Sequence, residues 1–150
     1  MDDERASGSP DHEVDVDRWA GLVADVLAAE GLGDRPVEVH VHFVDESAME
    51  DLNREHMGGE GPTDVLAFPV DDPTTVPDGV PVLLGDVVVC PLVAATQASA
   101  HAGDFISEVS LLLVHGVLHL LGHDHGEPEE AEAMRARERD HLVRYGMVCP

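Results

Sequence analysis

The chain contains no lysine, and its basic residues are eight arginines against 31 aspartates and glutamates. The formal net charge of -23 argues against a broad basic surface, because a negative field repels polyanions at long range. Any nucleic-acid partner would have to be held by a local cluster or by a metal ion, and binding of free RNA is expected to be weak. The excess of acidic residues is interpreted as a solvated surface suited to high ionic strength, where salt screens the negative field.

The chain also lacks a run of about 18 apolar residues, so no membrane span is predicted. The opening segment MDDERASGSPDHE has neither a basic n-region nor an apolar h-region, so no secretory signal is predicted and a cytoplasmic location is expected. Cys90 and Cys149 have no CxxC partner and are predicted to be free thiols. Residues 1–13 are predicted to be a disordered acidic tail and residues 14–150 a single domain.

Hydrophobic periodicity predicts the regular elements. Apolar residues recur at helical spacing over residues 16–30, and Gly31 can close that helix. The segment VEVHVHF, residues 37–43, alternates as a strand does, which turns His40 and His42 away from the buried face. TDVLAFPV and LLGDVVVC predict two further strands.

Four more helices are expected. Ser47 and Glu50 predict a capping box at the start of the second, Pro91 the start of the third, and Asp104 caps the fourth. That fourth segment, FISEVSLLLVHGVLHLL, is apolar nearly all round and should be the central, buried helix. The fifth, from Pro128 to about 145, is charged, with four apolar anchors: Ala131, Met134, Leu142 and Val143.

This order of elements predicts an α+β fold. We expect a small mixed β-sheet of three or four strands packed with about five helices. The central buried helix would carry the motif that follows.

The segment HGVLHLLGHDH, residues 115–125, has the spacing HxxxHxxGxxH. On a helix, His115 and His119 lie one turn apart with Cβ atoms about 5–6 Å apart, so both rings can reach one ion. Gly122 can end the helix and turn His125 back to the same metal. Three imidazoles with one open position are typical of a catalytic zinc ion, whereas structural zinc sites have four ligands. The spacing therefore predicts one zinc ion bound by the three histidines.

A zinc protease carries a glutamate base directly after the first histidine, and here that position is Gly116. Zinc lowers the pKa of its water toward neutrality, so less help from a carboxylate is needed. We interpret Gly116 as leaving room beside the ion for a substrate wider than an extended peptide, and expect Gly116→Glu to impair the reaction. Asp124 is a candidate hydrogen-bond acceptor for a ligand imidazole and a weaker candidate base, and His123 a possible fourth ligand.

With these motifs the sequence resembles the YbeY endoribonuclease family of bacterial rRNA-maturation metalloproteins. The resemblance rests on three segments in the family's order: MEDLNREHMGGEGPTDVLAFP at residues 49–69, LGDVVVCP at 84–91 and HGVLHLLGHDHGEPEEAEAM at 115–134. It covers about residues 15–145, and the histidine segment is its most specific part.

The resemblance implies an α+β fold, a zinc ion on His115, His119 and His125, and hydrolysis of single-stranded RNA. It further implies a role in 16S rRNA 3′-end maturation and ribosome quality control, with single-stranded rRNA, the small ribosomal subunit and its assembly factors as partners. Neither DNA nor a membrane is an expected partner. Residues 14–150 would then be a metal-dependent hydrolase domain.

Two positions depart from the family's pattern. Where the family commonly has an arginine this chain has Met57, and its TDVLSFP serine is Ala67 here. Arg54, one helical turn before Met57, is a weak candidate for substrate binding, with an exposed helix arginine as the alternative. Thr63 and Asp64 are weak candidates for the cleft wall and for catalysis, although they would equally shape a turn into a strand.

Two other functions stay open from the residues alone. One is a ribosome assembly factor with a mainly structural zinc ion and four protein ligands. The other is a zinc peptidase or small-molecule hydrolase, which the acidic surface favours and Gly116 disfavours. Whether water or the RNA 2′-hydroxyl is the nucleophile is not predicted.

Overall fold

The structure is a computed structural model that describes residues 2–3, 16–32, 35–77, 79–98, 105–122 and 127–144. Four strands form one sheet: β1 (Asp2–Asp3), β2 (Val37–Phe43), β3 (Val65–Pro69) and β4 (Val82–Val89). Their order is β1-β2-β4-β3. β2 runs parallel to β1 and β4, whereas β3 is antiparallel to β4. The predicted mixed sheet is thereby confirmed.

The five predicted helices are also present. They are α1 (Val16–Leu27), α2 (Glu46–Leu52), α3 (Pro91–Ala98), α4 (Phe105–Leu120) and α5 (Pro128–Arg144). Wide helical turns at Ala28–Leu32 and Asn53–Met57 extend α1 and α2. The chain leaves each extension through a glycine at positive φ, Gly31 at 89° and Gly58 at 66°, a backbone region that glycine enters without steric cost.

Strand alternation divides the core between the two faces of the sheet. Val41, Phe43 and Val87 point to the face covered by α4, where they join the main buried cluster. Leu66 and Val88 point to the other face and pack with Met49 of α2. Because α4 packs against β3, β4, α1, α3 and α5, it is the central helix, as its composition predicted.

Two local predictions are wrong. The side chain that caps α2 is Asp45, whose Oδ1 accepts from the Ala48 N–H at 2.9 Å, so the helix starts one residue before the predicted capping serine, Ser47. On α5, Met134 and Leu142 are buried as expected, but Val143 is 64% exposed. Helical spacing alone could not decide which of two neighbouring apolar residues, Leu142 or Val143, faces the core.

Other predictions lie partly outside the described residues. Of the predicted tail, Asp2–Asp3 pairs with His42 and Phe43 of β2, and the tail otherwise stays a prediction. Cys90 is a free, buried thiol, and burial raises its pKa; Cys149 and Asp104 are not described. Within the described ranges, no helix is long and apolar enough to cross a membrane.

Candidate metal centre

His115 and His119 are half-exposed positions on an otherwise buried stretch of α4. The residues between and beside them, from Leu112 to Leu120, are buried, whereas these two side chains reach the surface of the core. Their rings lie with centroids 4.7 Å apart at an interplanar angle of 76°. The helix therefore brings the first two predicted ligands together, as the spacing of four residues requires.

A carboxylate on another helix holds the first of these imidazoles. Glu138 of α5, whose side chain is only 10% exposed, has its Oε1 2.5 Å from Nδ1 of His115. With Nδ1 bound in this way, Nε2 of His115 is the nitrogen available to an ion. A carboxylate that accepts from the outer nitrogen of a ligand histidine fixes the ring orientation and raises the basicity of the ligand.

These residues fit a zinc ion as far as the structure describes them. Two imidazoles one turn apart, one of them oriented by a buried carboxylate, are a donor set that zinc accepts. The third predicted ligand, His125, lies outside the described residues, as do His123 and Asp124. Among the residues that are described, no group of three or more His, Cys, Asp or Glu side chains is placed to hold an ion.

Asp64 forms a wall of the same site from the start of β3. Its Oδ1 accepts from the Val65 N–H at 2.7 Å and its Oδ2 from Nε2 of Gln97 at 2.8 Å. The second N–H of that Gln97 amide donates to Glu108, a fully buried residue of α4, also at 2.8 Å. The carboxylate is thus fixed by α3 and α4, and its Oδ2 keeps a further acceptor position.

The remaining candidates from the sequence are placed differently. Thr63 donates its hydroxyl to Asp64 at a long 3.4 Å. Arg54 is exposed, and its guanidinium donates to Asp51 at 2.7 Å. Met57, which stands where the family arginine was expected, is 52% exposed.

Two cavities converge on His115, Asp64 and Val65. The larger, of about 480 Å³, continues between α4 and α5 along Leu111, Met134, Arg135 and Glu138. The smaller, of about 410 Å³, continues along β3 and is also lined by Met57, Gly116 and His119. Arg54 lines neither cavity. The two histidines and Asp64 therefore face open space of the size that small ligands and single nucleotides occupy.

Gly116 has a packing role that the sequence did not predict. A Cβ atom at this position would lie 2.7 Å from Cγ1 and 3.3 Å from Cγ2 of Val87 on β4. The glycine therefore lets α4 approach the sheet, in addition to lining the smaller cavity. Because Gly116→Glu would also disrupt this packing, a loss of RNA cleavage in that variant would not distinguish space for substrate from a damaged fold.

Three residues of the site were not predicted from the sequence: Glu138, Gln97 and Arg135. Glu138 had a signal, because it lies four residues from both Met134 and Leu142, on the apolar face of an otherwise charged helix. A glutamate on a buried face requires a partner. Gln97 had no such signal, because its partners Asp64 and Glu108 belong to other elements. Arg135 had none either, because an exposed arginine is ordinary on so charged a helix.

Comparison with known proteins shows which family the chain resembles. The sequence model of the family described as Endoribonuclease YbeY matches residues 6–146. Two proteins named Endoribonuclease YbeY are similar over most of the chain. The one from Salinispora tropica is 46% identical over 81% of this chain and 83% of its own length. The one from Thermobifida fusca is 41% identical over 91% and 88%.

A solved structure is similar as well. A solution structure of a Thermotoga maritima protein superimposes with a TM-score of 0.59 and 25% sequence identity, covering 91% of this chain and 89% of the other. The α+β fold with its mixed sheet is therefore shared with an experimentally determined protein.

Proposed function

Because the chain belongs to the Endoribonuclease YbeY family, we propose that it hydrolyses phosphodiester bonds of single-stranded RNA with one zinc ion. The ligands would be His115, His119 and His125. The observation that carries the proposal is that His115 and Asp64 line two cavities in common, one of them also lined by His119, with Nδ1 of His115 bound to Glu138. The proposed setting is the cytoplasm, with 16S rRNA 3′-end maturation and ribosome quality control as the role.

A bound zinc ion supplies a Lewis acid for the phosphoryl oxygen and lowers the pKa of water. The protein's own residues would orient the metal ligands and accept protons. Glu138 fixes the ring of His115, and Gln97 fixes Asp64. Asp64 lines both cavities, and its Oδ2 keeps an acceptor position, so this carboxylate would accept a proton from the attacking hydroxyl group, whether of water or of the ribose.

Asp64 would thus act as the base that is missing at Gly116, the position after His115. The Asp64 carboxylate reaches the cleft from β3, opposite α4, and not from the position next to the first histidine. Asp124 remains a second candidate for the base. Thr63 and Arg54 remain candidates for contacts with the substrate. The small ribosomal subunit and its assembly factors are the proposed partners that would present rRNA to so acidic a protein.

The test compares RNA cleavage by the native chain and by the His115→Ala, His119→Ala double variant, with zinc added and with chelator. A matched control removes two imidazoles from the far face of the sheet, His40→Ala and His42→Ala. We expect loss of cleavage only in the first variant, with circular dichroism showing both folded. Cleavage that survives in the first variant contradicts the proposal. Chelator-sensitive cleavage of casein in place of RNA would support a peptidase.

A further inference from the structure

Arg135 is a cation at the candidate site for which the described residues provide no partner. It is an exposed residue of α5 and lines the larger cavity together with His115 and Asp64. Within the ranges that the structure describes, its guanidinium forms no hydrogen bond or ion pair. An unpaired guanidinium offers five N–H donors in a planar fork that matches a phosphate group.

The other arginines with described side chains are engaged. Arg54 pairs with Asp51, Arg137 pairs with Glu30, Arg35 donates to backbone carbonyls of residues 73 and 76, Arg18 lies over the ring of Trp19, and Arg139 has an interaction of its own. Among the arginines with described side chains, Arg135 is thus the one without a described partner, and it lines the same cavity as His115.

Neither of the carboxylates that line the cavity, Asp64 and Glu138, is paired with Arg135 in the part of the chain that the structure describes. Glu138 is bound to Nδ1 of His115, and Asp64 accepts from Gln97 and from the Val65 N–H. In a chain of net charge -23, long-range attraction of RNA is absent, so a phosphate must be held by contacts at the site itself. Arg135 is the described cation that lines this cavity.

We propose that Arg135 binds a backbone phosphate of the RNA strand on the α5 side of the metal centre, one of the phosphates flanking the scissile bond. The inference rests on the proposed function. The same cavity has an apolar part formed by Leu111, Ala131 and Met134, against which a sugar or base of the adjoining nucleotide can pack. The larger cavity is then the path of the strand between α4 and α5.

The experiment measures binding of a short fluorescent single-stranded RNA by anisotropy, in chelator, over a series of salt concentrations. For Arg135→Ala we expect Kd to rise about tenfold at low salt, since a charge-assisted hydrogen bond is lost. The slope of log K against log salt should fall by about 0.7, the value for one phosphate contact on a single strand. Arg135→Lys should recover part of the affinity, because it restores the charge but not the fork.

Arg139→Ala is the matched control, since it removes the same charge one turn further along α5 and outside the cavity. Equal weakening by Arg139→Ala, or native affinity of Arg135→Ala, would overturn the inference, as would a native chain that binds no RNA. Binding in chelator is independent of cleavage. A chain that binds through Arg135 but cleaves no RNA removes the proposed function alone. A chain that cleaves RNA while Arg135→Ala binds normally removes this inference alone.

Discussion

At the scale of single residues, the site depends on hydrogen bonds between elements distant in sequence. His115 and Glu138 are 23 residues apart, and Asp64 and Gln97 are 33 apart. The helix period places His115 and His119 on one face, so that pair was predictable. A period says nothing about which side chain of another element meets that face, and Glu138 therefore appeared only with the packing of α5 on α4.

Glu138→Gln should weaken zinc binding without unfolding the protein. The amide keeps the shape of the carboxylate but loses the charge that orients and polarises His115, and such changes lower metal affinity by about 10–100-fold. We expect about tenfold, measured by competition with a chromophoric chelator. Glu132→Gln, an exposed position on α5, is the matched control. Equal zinc affinities of the native chain and Glu138→Gln would show that Glu138 does not act on the ligand.

At the scale of elements, close contact between α4 and the sheet decides where the histidines lie. Trp19, Leu22 and Val26 follow the helical period and are buried, which is why α1 was predictable. The glycine in HGVLH looked like a feature of the chemistry because its neighbour in sequence is a ligand. Its neighbour in space, Val87, belongs to a strand nearly thirty residues earlier, and the sequence alone does not pair them.

Gly116→Ala should destabilise the fold. Alanine gains about 0.5–1 kcal/mol over glycine within a helix, but its Cβ would lie 2.7 Å from Cγ1 of Val87, a buried and stiff β-branched side chain. Overpacking of this kind costs about 1–3 kcal/mol, so the net free energy of unfolding should fall, as measured by urea denaturation.

A double-mutant cycle with Val87→Ala separates packing from other causes. In the Val87→Ala background the contact is gone, so Gly116→Ala should cost less or become stabilising, with a coupling energy of about 0.5–3 kcal/mol. Additive effects of the two substitutions would show that the contact with Val87 is not why glycine occupies this position.

At the scale of the whole molecule, the excess of acidic residues acts on stability as well as on binding. The chain has eight arginines against 31 acidic residues, so most carboxylates have no basic side chain to pair with, and the net charge is -23. Like charges on a 16.1 kDa protein repel one another and destabilise the compact state. Salt shortens the range of this repulsion to about 10 Å at 0.1 M and about 3 Å at 1 M. Salt should therefore favour the folded protein.

We expect the melting temperature at pH 7 to rise as KCl increases from low to molar concentration. Each 1 kcal/mol of relieved repulsion corresponds to about 2–4 °C for a chain of this size, and calorimetry or circular dichroism would measure the change. At pH 5, closer to the isoelectric point of about 4.4, the net charge is smaller, so the same salt step should raise the melting temperature less. A flat or falling melting temperature at pH 7 would mean that local contacts, and not the overall field, balance the acidic surface.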